Sequence, residues 1–334
     1  MTSHRAWLGC FASLLMVCSL QGAEPPLTAE IVSVAKIWDA GKHNAFTDLL
    51  RHKDRWYCVF REGAGHVSAD GTVRVIVSDD GHTWHGIAQL SSSDGDLRDP
   101  KICITPAGKL MITTVLWTPK DPDTKHQSRV YFSDNGETWD GPHDIGDKNF
   151  WLWRTSWHED KAYNMAYQTH GGASMRLYES KDGLKFTTLV EDLGVKNEHP
   201  NEAVLGWKKD GEALCLLRCE KPGIAQLGRA KPPYREWTWK ELDQHFGGPE
   251  MIQHESGHWV AAGRIYKPTQ HTSVCWLDTE NHKIVELAKL PSGGDTSYPG
   301  LVWHDGLLWM SYYSSHEGKT SIYLAKLKIT SSAQ

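Results

Sequence analysis

VSDDGHTW at residues 77–84 returns as FSDNGETW at 132–139, and a looser copy, ESKDGLKF, stands at 179–186. Ser and Asp side chains in such a turn accept hydrogen bonds from nearby backbone N–H groups. Gly81 and Gly136 supply the positive φ the turn needs, and Trp84 and Trp139 are placed to pack back over the hairpin. The third copy keeps Asp182 and Gly183 but ends in Phe186. This is hairpin chemistry, so the Asp residues are read as structural clips rather than as catalytic groups or metal ligands. Their value is as a ruler for the rest of the chain.

Between the copies lie short β-branched and aromatic runs such as RWYCVF, TVRVIVS, KLMITTVLW and LLWMSYYS, separated by turn residues. That is strand chemistry, and no stretch sustains a helical period. Aligning on the turn gives units at 43–90, 96–145, 151–193, 198–243, 246–290 and 295–329. A period of about 40–50 residues with several strands per unit predicts an all-β, six-bladed β-propeller. The last unit holds only three strands. IVSVAKIW (31–38) precedes the first unit with no repeat of its own, and is expected to supply the missing strand and close the ring.

The chain has 334 residues, 23% of them charged, and a formal net charge of -5. Mild acidity argues against a nucleic-acid partner. Sixteen Trp are many for this length; at least half are expected in packing, and the remainder are suited to stacking on sugars. Residues 1–23 read as a cleaved signal peptide, with an apolar run at 6–20 too short to span a membrane, which predicts a secreted or periplasmic protein made of one domain over 24–334. A lipoprotein reading around Cys18 is disfavoured by Val17. No membrane span is expected in the mature chain, and a monomer is expected. Five Cys remain after residue 23, an odd number, and buried free thiols are expected. Cys215 and Cys219 on one strand would lie about 13 Å apart, too far for a disulfide.

The repeated turn in an all-β chain of this period resembles the Asp-box repeats of the sialidase superfamily, over essentially all of 24–334. The repeat also indicates where a site would lie. The first strands of the units start at Phe46-Thr47-Asp48, Arg98-Asp99-Pro100, Trp153-Arg154-Thr155, Pro200-Asn201-Glu202, Gly248-Pro249-Glu250 and Ser297-Tyr298-Pro299. Second strands end at Arg61, Trp117, Gln168, Arg218, Arg264 and Tyr312–Tyr313. Six blades would gather these at one end of the axis. The resemblance implies an exo-acting glycoside hydrolase with a Tyr nucleophile, Tyr298, and Glu202 as its base. A phenol of pKa near 10 needs a carboxylate to take its proton, and a neutral Tyr avoids repulsion from an acidic sugar. The resemblance further implies that Asp70, in the Gly-bearing stretch 63–71, is the acid for the leaving group, with His66 as the alternative. Arginines gripping a sugar carboxylate are implied at Arg61, Arg218 and Arg264, with Arg98, Asp99 and Arg154 also lining the cleft. This scheme calls for no metal or other cofactor; the partner is a glycan substrate.

The chain also departs from the superfamily's pattern. The first blade carries AFTDLL where the family has an arginine, and the candidate in blade five, Arg264, comes early. The expected function is a sialidase-type hydrolase removing a terminal carboxylate-bearing sugar, sialic acid or similar; a hydrolase or lyase acting on another acidic glycan, and glycan binding without catalysis, are the alternatives. HESGH at 254–258 matches a zinc-protease pattern in letters alone, because that motif works only on a helix and this one is expected to be a hairpin turn.

Overall fold

The computed structural model describes residues 24–121, 123–196 and 199–332, which hold strands β1 to β24 in chain order and no helix. The proposed leader at 1–23 lies outside them. The strands form six antiparallel four-stranded sheets, the blades of a propeller. Blade one is β2 (His43–His52), β3 (Arg55–Gly63), β4 (Thr72–Ser78) and β5 (His85–Leu90). The next four open on β6 (Asp96–Ile104), β10 (Phe150–His158), β14 (Pro200–Trp207) and β18 (Phe246–Gln253). Their second strands are β7 (Leu110–Trp117), β11 (Lys161–Gln168), β15 (Ala213–Cys219) and β19 (Trp259–Ile265).

The sixth blade contains β22 (Thr296–His304), β23 (Leu307–Ser314), β24 (Ser321–Ser331) and, from the other end of the chain, β1 (Leu27–Trp38). β1 pairs with β24 from Leu27 opposite Ser331 to Trp38 opposite Ile322. The expected closing strand is present, beginning four residues earlier than the sequence indicated. Closure leaves the ring without an open seam between first and last blades.

Position in the blade explains composition. β19 is buried along its whole length, whereas the outer strand β5 is half exposed. Aromatic side chains seal the faces between blades: Trp56 of blade one stacks on Trp309 of blade six, with centroids 4.2 Å apart. Each such ring removes about 150–250 Å² from water, about 4–6 kcal/mol of transfer free energy.

The feature that builds the site is a bulge repeated in all six innermost strands. Register slips between Ala45 and Asp48, Arg98 and Lys101, and Leu152 and Thr155. It slips again between Pro200 and Ala203, Gly247 and Glu250, and Ser297 and Gly300. Two residues there face one on the second strand, which bends the strand and re-aims its side chains. Phe46, Asp99, Gly248 and Tyr298 take left-handed φ values of 61, 46, 56 and 53°. The strand starts read from the sequence contain these bulges.

The repeated turn is a local clip. Asp80 Oδ1 accepts from His82 N and Thr83 N, each at 2.7 Å, and Ser78 Oγ accepts from Gly81 N at 2.8 Å. Asn135 and Asp182 play the part of Asp80 in the other copies. In blade one the clip follows the end of β4, remote from the 64–71 loop at the strand's start. HESGH is a turn between β18 and β19, closed by His254 N to His258 O at 2.8 Å. The five described Cys are unpaired; four are buried, and burial pushes the Cys219 thiol up to about 12.

Candidate active site

A cleft of about 380 Å³ opens at the bulge end of the axis. Its floor brings together Glu202 from the β14 bulge, Tyr298 from the β22 bulge, and Arg218 on β15 opposite the β14 bulge. The Tyr298 hydroxyl donates to Glu202 Oε1. Arg218 Nη1 donates to both Glu202 oxygens at 2.9 Å and lies 3.0 Å from the Tyr298 oxygen. Gly248 N donates to Glu202 Oε2 at 2.8 Å. A Cβ at Gly248 would lie 2.8 Å from the Tyr298 ring, so glycine is what lets the phenol reach this carboxylate.

The electrostatics separate the two acids. Burial opposes ionisation of Glu202, but the Arg218 charge and hydrogen bonds from Tyr298, Arg218 and Gly248 outweigh it and hold the carboxyl below its ordinary value. Burial, reinforced by the Glu202 charge, drives the Tyr298 phenol well above its ordinary value. The resting pair is a neutral phenol on an ionised carboxylate, with the guanidinium against both.

The other candidate residues sort differently. Asp99 lines the floor, accepting from Trp153 Nε1 at 3.3 Å, and burial pushes its carboxyl up with help from Glu202. Arg98 lines the cleft too, but its Nη1 is engaged by Asp96 Oδ2 at 3.0 Å and His66 O at 3.2 Å. Arg61 does not reach the cleft. Its buried guanidinium grips Asp96 through Nε at 2.7 Å and Nη2 at 3.0 Å, and holds the Gly65 and Ser68 carbonyls. The clamp assignment to Arg61 is thereby corrected to an anchor of the 64–71 loop. Gly71 must be glycine beside it, because a Cβ there would sit 1.7 Å from Asp96 Oδ1.

Asp70 is also displaced from its expected place. It accepts from Ala64 N at 3.1 Å and lines a separate depression with Gly41 and Gln89. Arg154 is spent on Asp48, at 3.0 and 3.2 Å, and on Glu250. Lys101 joins this buried network on the axis, donating to Thr47 O at 2.9 Å, and burial lowers it to about 8. Arg264 is held by Thr296 O and by Tyr313 OH at 3.0 Å, with its guanidinium 5.4 Å from the Tyr298 ring centre. Three of the four arginines assigned to the carboxylate besides Arg218 are thus committed elsewhere, and only Arg98 joins it at the cleft.

Breaking a buried pair by removing one partner costs about 3–5 kcal/mol. Arg61→Met removes two of the hydrogen bonds to Asp96 and leaves it Arg98 Nη1 at 3.0 Å, so it should cost less than that and lower the thermal unfolding midpoint by roughly 3–10 °C. A midpoint within a degree of wild type would sink the anchoring role.

Several cleft residues carried no sequence signal beyond aromatic content. Trp151 stacks on Tyr167 with centroids 5.7 Å apart, and His126 lies 5.2 Å from Trp151. With Trp117 they form one wall. Burial lowers His126 to about 4, so it is neutral. Trp151 Nε1, His126 Nδ1 and Asp99 Oδ1 are buried and have no protein partner. Unpaired polar atoms on an aromatic wall are what a sugar's hydroxyls require. On the opposite rim, His66 approaches Asp295.

No family model matches the chain, and no curated protein matches it in sequence. Solved structures do match in fold. A Dyadobacter fermentans protein of unknown function superposes with a TM-score of 0.81 at 19% identity, over 91% of this chain and 100% of that one. The α-L-arabinofuranosidase of Fusarium graminearum gives 0.69 at 12% identity, over 89% and 98%. Trypanosoma rangeli sialidase gives 0.62 at 12% identity, over 91% and 60%, so this chain spans about three-fifths of that enzyme. The six-bladed propeller is the architecture shared with the sialidase and the arabinofuranosidase.

Proposed function

We propose that the protein is an exported, exo-acting glycoside hydrolase in which Tyr298 is the nucleophile and Glu202 its base. The observation that carries this is the buried Tyr298 hydroxyl donating to an ionised Glu202, with Arg218 bonded to both, at the floor of an open cleft. The Tyr298 oxygen attacks the anomeric carbon while Glu202 takes the phenol proton. The bond from that carbon to the leaving oxygen breaks, and the leaving oxygen gains a proton. Water then attacks the same carbon, the Tyr298 oxygen leaves, and Glu202 returns the proton to it. Two inversions give net retention. A positive oxocarbenium-like centre beside the phenolate removes the penalty that burial places on ionising Tyr298.

The substrate best supported is a terminal sugar bearing one carboxylate, met by Arg98 and Arg218, the cations that line the cleft among the described residues. A Tyr nucleophile suits such a sugar. A second reading, a neutral sugar, draws support from the engagement of Arg61, Arg154 and Arg264 by protein groups and from the arabinofuranosidase likeness in fold. A panel of 4-methylumbelliferyl sialoside, glucuronide and α-L-arabinofuranoside tests the reading. Turnover of an acidic glycoside, abolished in Tyr298→Phe, is expected. Turnover of the arabinofuranoside alone favours the neutral sugar, and binding without turnover makes the propeller a glycan-binding module.

The depressed Glu202 also sets a pH profile. Its ionised form persists until pH falls below the ordinary carboxylate range, about 4.3 for Glu. The acid limb of kcat/KM should thus lie below about pH 4.3. An acid limb above pH 5 would contradict an ionised resting Glu202.

A further inference from the structure

The nucleophile–base reading leaves the leaving group without a donor, since Asp70 is turned to another depression. The loop between β3 and β4 supplies a different group. Arg61 fastens it through Gly65 O at 2.8 Å and Ser68 O at 3.1 Å, and Arg98 through His66 O at 3.2 Å. The loop is strapped so that His66 lines the cleft rim, its side chain half exposed, with its ring edge-on to Phe46 at 5.1 Å.

Across the rim, His66 Nδ1 lies 2.7 Å from Asp295 Oδ2, on the residue before β22. Asp295 is itself oriented on several sides. Tyr313 OH donates to its Oδ1 at 2.7 Å, His43 Nε2 lies 2.9 Å from Oδ2, and its backbone N donates to Ser315 Oγ at 2.9 Å. Burial opposes its ionisation, but hydrogen bonds from His43 and His66 prevail, and the group stays a carboxylate. A carboxylate only accepts, so Nδ1 of His66 carries hydrogen and Nε2 is left as the atom that gains and loses a proton.

We propose that His66, oriented by Asp295, is the proton donor to the leaving group and the base for the incoming water. This rests on the glycoside-hydrolase reading above. In the first step His66 Nε2–H passes its proton to the glycosidic oxygen as the bond to the anomeric carbon breaks, and the imidazolium becomes neutral. In the second, Nε2 takes a proton from water as the water oxygen bonds to that carbon and Tyr298 departs. Asp99 is the competing donor, but it sits on the floor in the bulge ring with Tyr298, only 4% exposed. An exo-acting enzyme holds the terminal sugar on the floor and the leaving group at the mouth, where His66 lies. Asp295 is a positioning residue: it touches His66, not substrate.

The test compares leaving groups on whichever sugar of the panel the wild type accepts. His66→Ala should lose about 10²–10⁴-fold on an unactivated disaccharide and less than about tenfold in forming the glycosyl-enzyme from the 4-nitrophenyl glycoside, whose phenolate leaves without protonation. Azide should then accelerate 4-nitrophenyl turnover and yield the glycosyl azide. Asp295→Asn should show the same leaving-group selectivity, more weakly, with a displaced alkaline limb. Equal losses on both substrates in His66→Ala would overturn the proposal, as would transfer of the selectivity to Asp99→Asn. Loss on chelation with EDTA, restored by zinc, would overturn it in favour of a metal held by His43, His66 and Asp295, whose ligand atoms lie within 4.8 Å of one another. Leaving-group selectivity in His66→Ala together with full activity in Tyr298→Phe would sink the nucleophile and keep the donor. No wild-type turnover on any substrate would overturn both.

Discussion

Tyr298→Phe is expected to fold as wild type does and to lose glycoside turnover by at least about 10³-fold. The substitution removes one oxygen from a ring that is otherwise packed by Phe46, Trp153 and Tyr313, with centroids 5.0, 6.2 and 5.9 Å away. The ring keeps those contacts. What goes is the atom that bonds to the anomeric carbon and the donor to Glu202. Glu202 remains satisfied by Arg218 and Gly248 N, so no buried charge is orphaned. The loss should fall on kcat, because the missing bond forms only along the reaction coordinate. Thermal unfolding and steady-state kinetics on the same preparation separate the two effects. Retained turnover would remove Tyr298 from the chemistry, and a collapsed unfolding midpoint would make it a packing residue.

Glu202→Gln is the second large effect, a fall in kcat of about 10²–10⁴-fold. An amide cannot take the phenol proton, and burial is the largest of the effects that hold the Tyr298 phenol well above its ordinary value. Arg218 would lose the charge and one of the two oxygens it meets at 2.9 Å, but keep the amide oxygen and Glu220. Stability should therefore fall less than for Arg61→Met, where the fully buried Asp96 carboxylate loses two of its hydrogen bonds and keeps only Arg98 of its two cations. A loss confined to KM would instead assign Glu202 to sugar binding.

These residues could be reached from sequence because the propeller's repeat is local chemistry. The Ser78–Asp80 turn is closed by bonds spanning two or three residues, so its copies give the blade register without any long-range information. The register then predicts which tripeptides start the innermost strands, and the bulges lie in them. Glu202, Arg218 and Tyr298 meet because a bulge and its opposing residue are neighbours within a blade and the bulges converge at the axis.

The arginines were not legible in the same way. Arg61, Arg154 and Arg264 all end apolar strands or sit in bulges, as a ligand clamp would. Which group each one meets is decided by other blades: Asp96 for Arg61, Asp48 and Glu250 across the axis for Arg154, Thr296 O for Arg264. Asp70 was misplaced for the converse reason, since its bond to Ala64 N is a local turn bond that any Asp-Gly loop could make. The His66–Asp295 contact joins residues 229 positions apart across the closing seam of the ring. No periodicity carries that information; it exists only once blade six has met blade one.

A covalent bond from the sugar to Tyr298 can be seen by mass spectrometry of the trapped enzyme. The enzyme is incubated with a fluorinated glycosyl fluoride of the sugar it turns over, digested, and its peptides mapped. One glycosyl adduct is expected, on the peptide containing Tyr298 and absent in Tyr298→Phe. An adduct on Glu202 or Asp99, or inactivation-free turnover with no adduct and inverted product configuration, would contradict it.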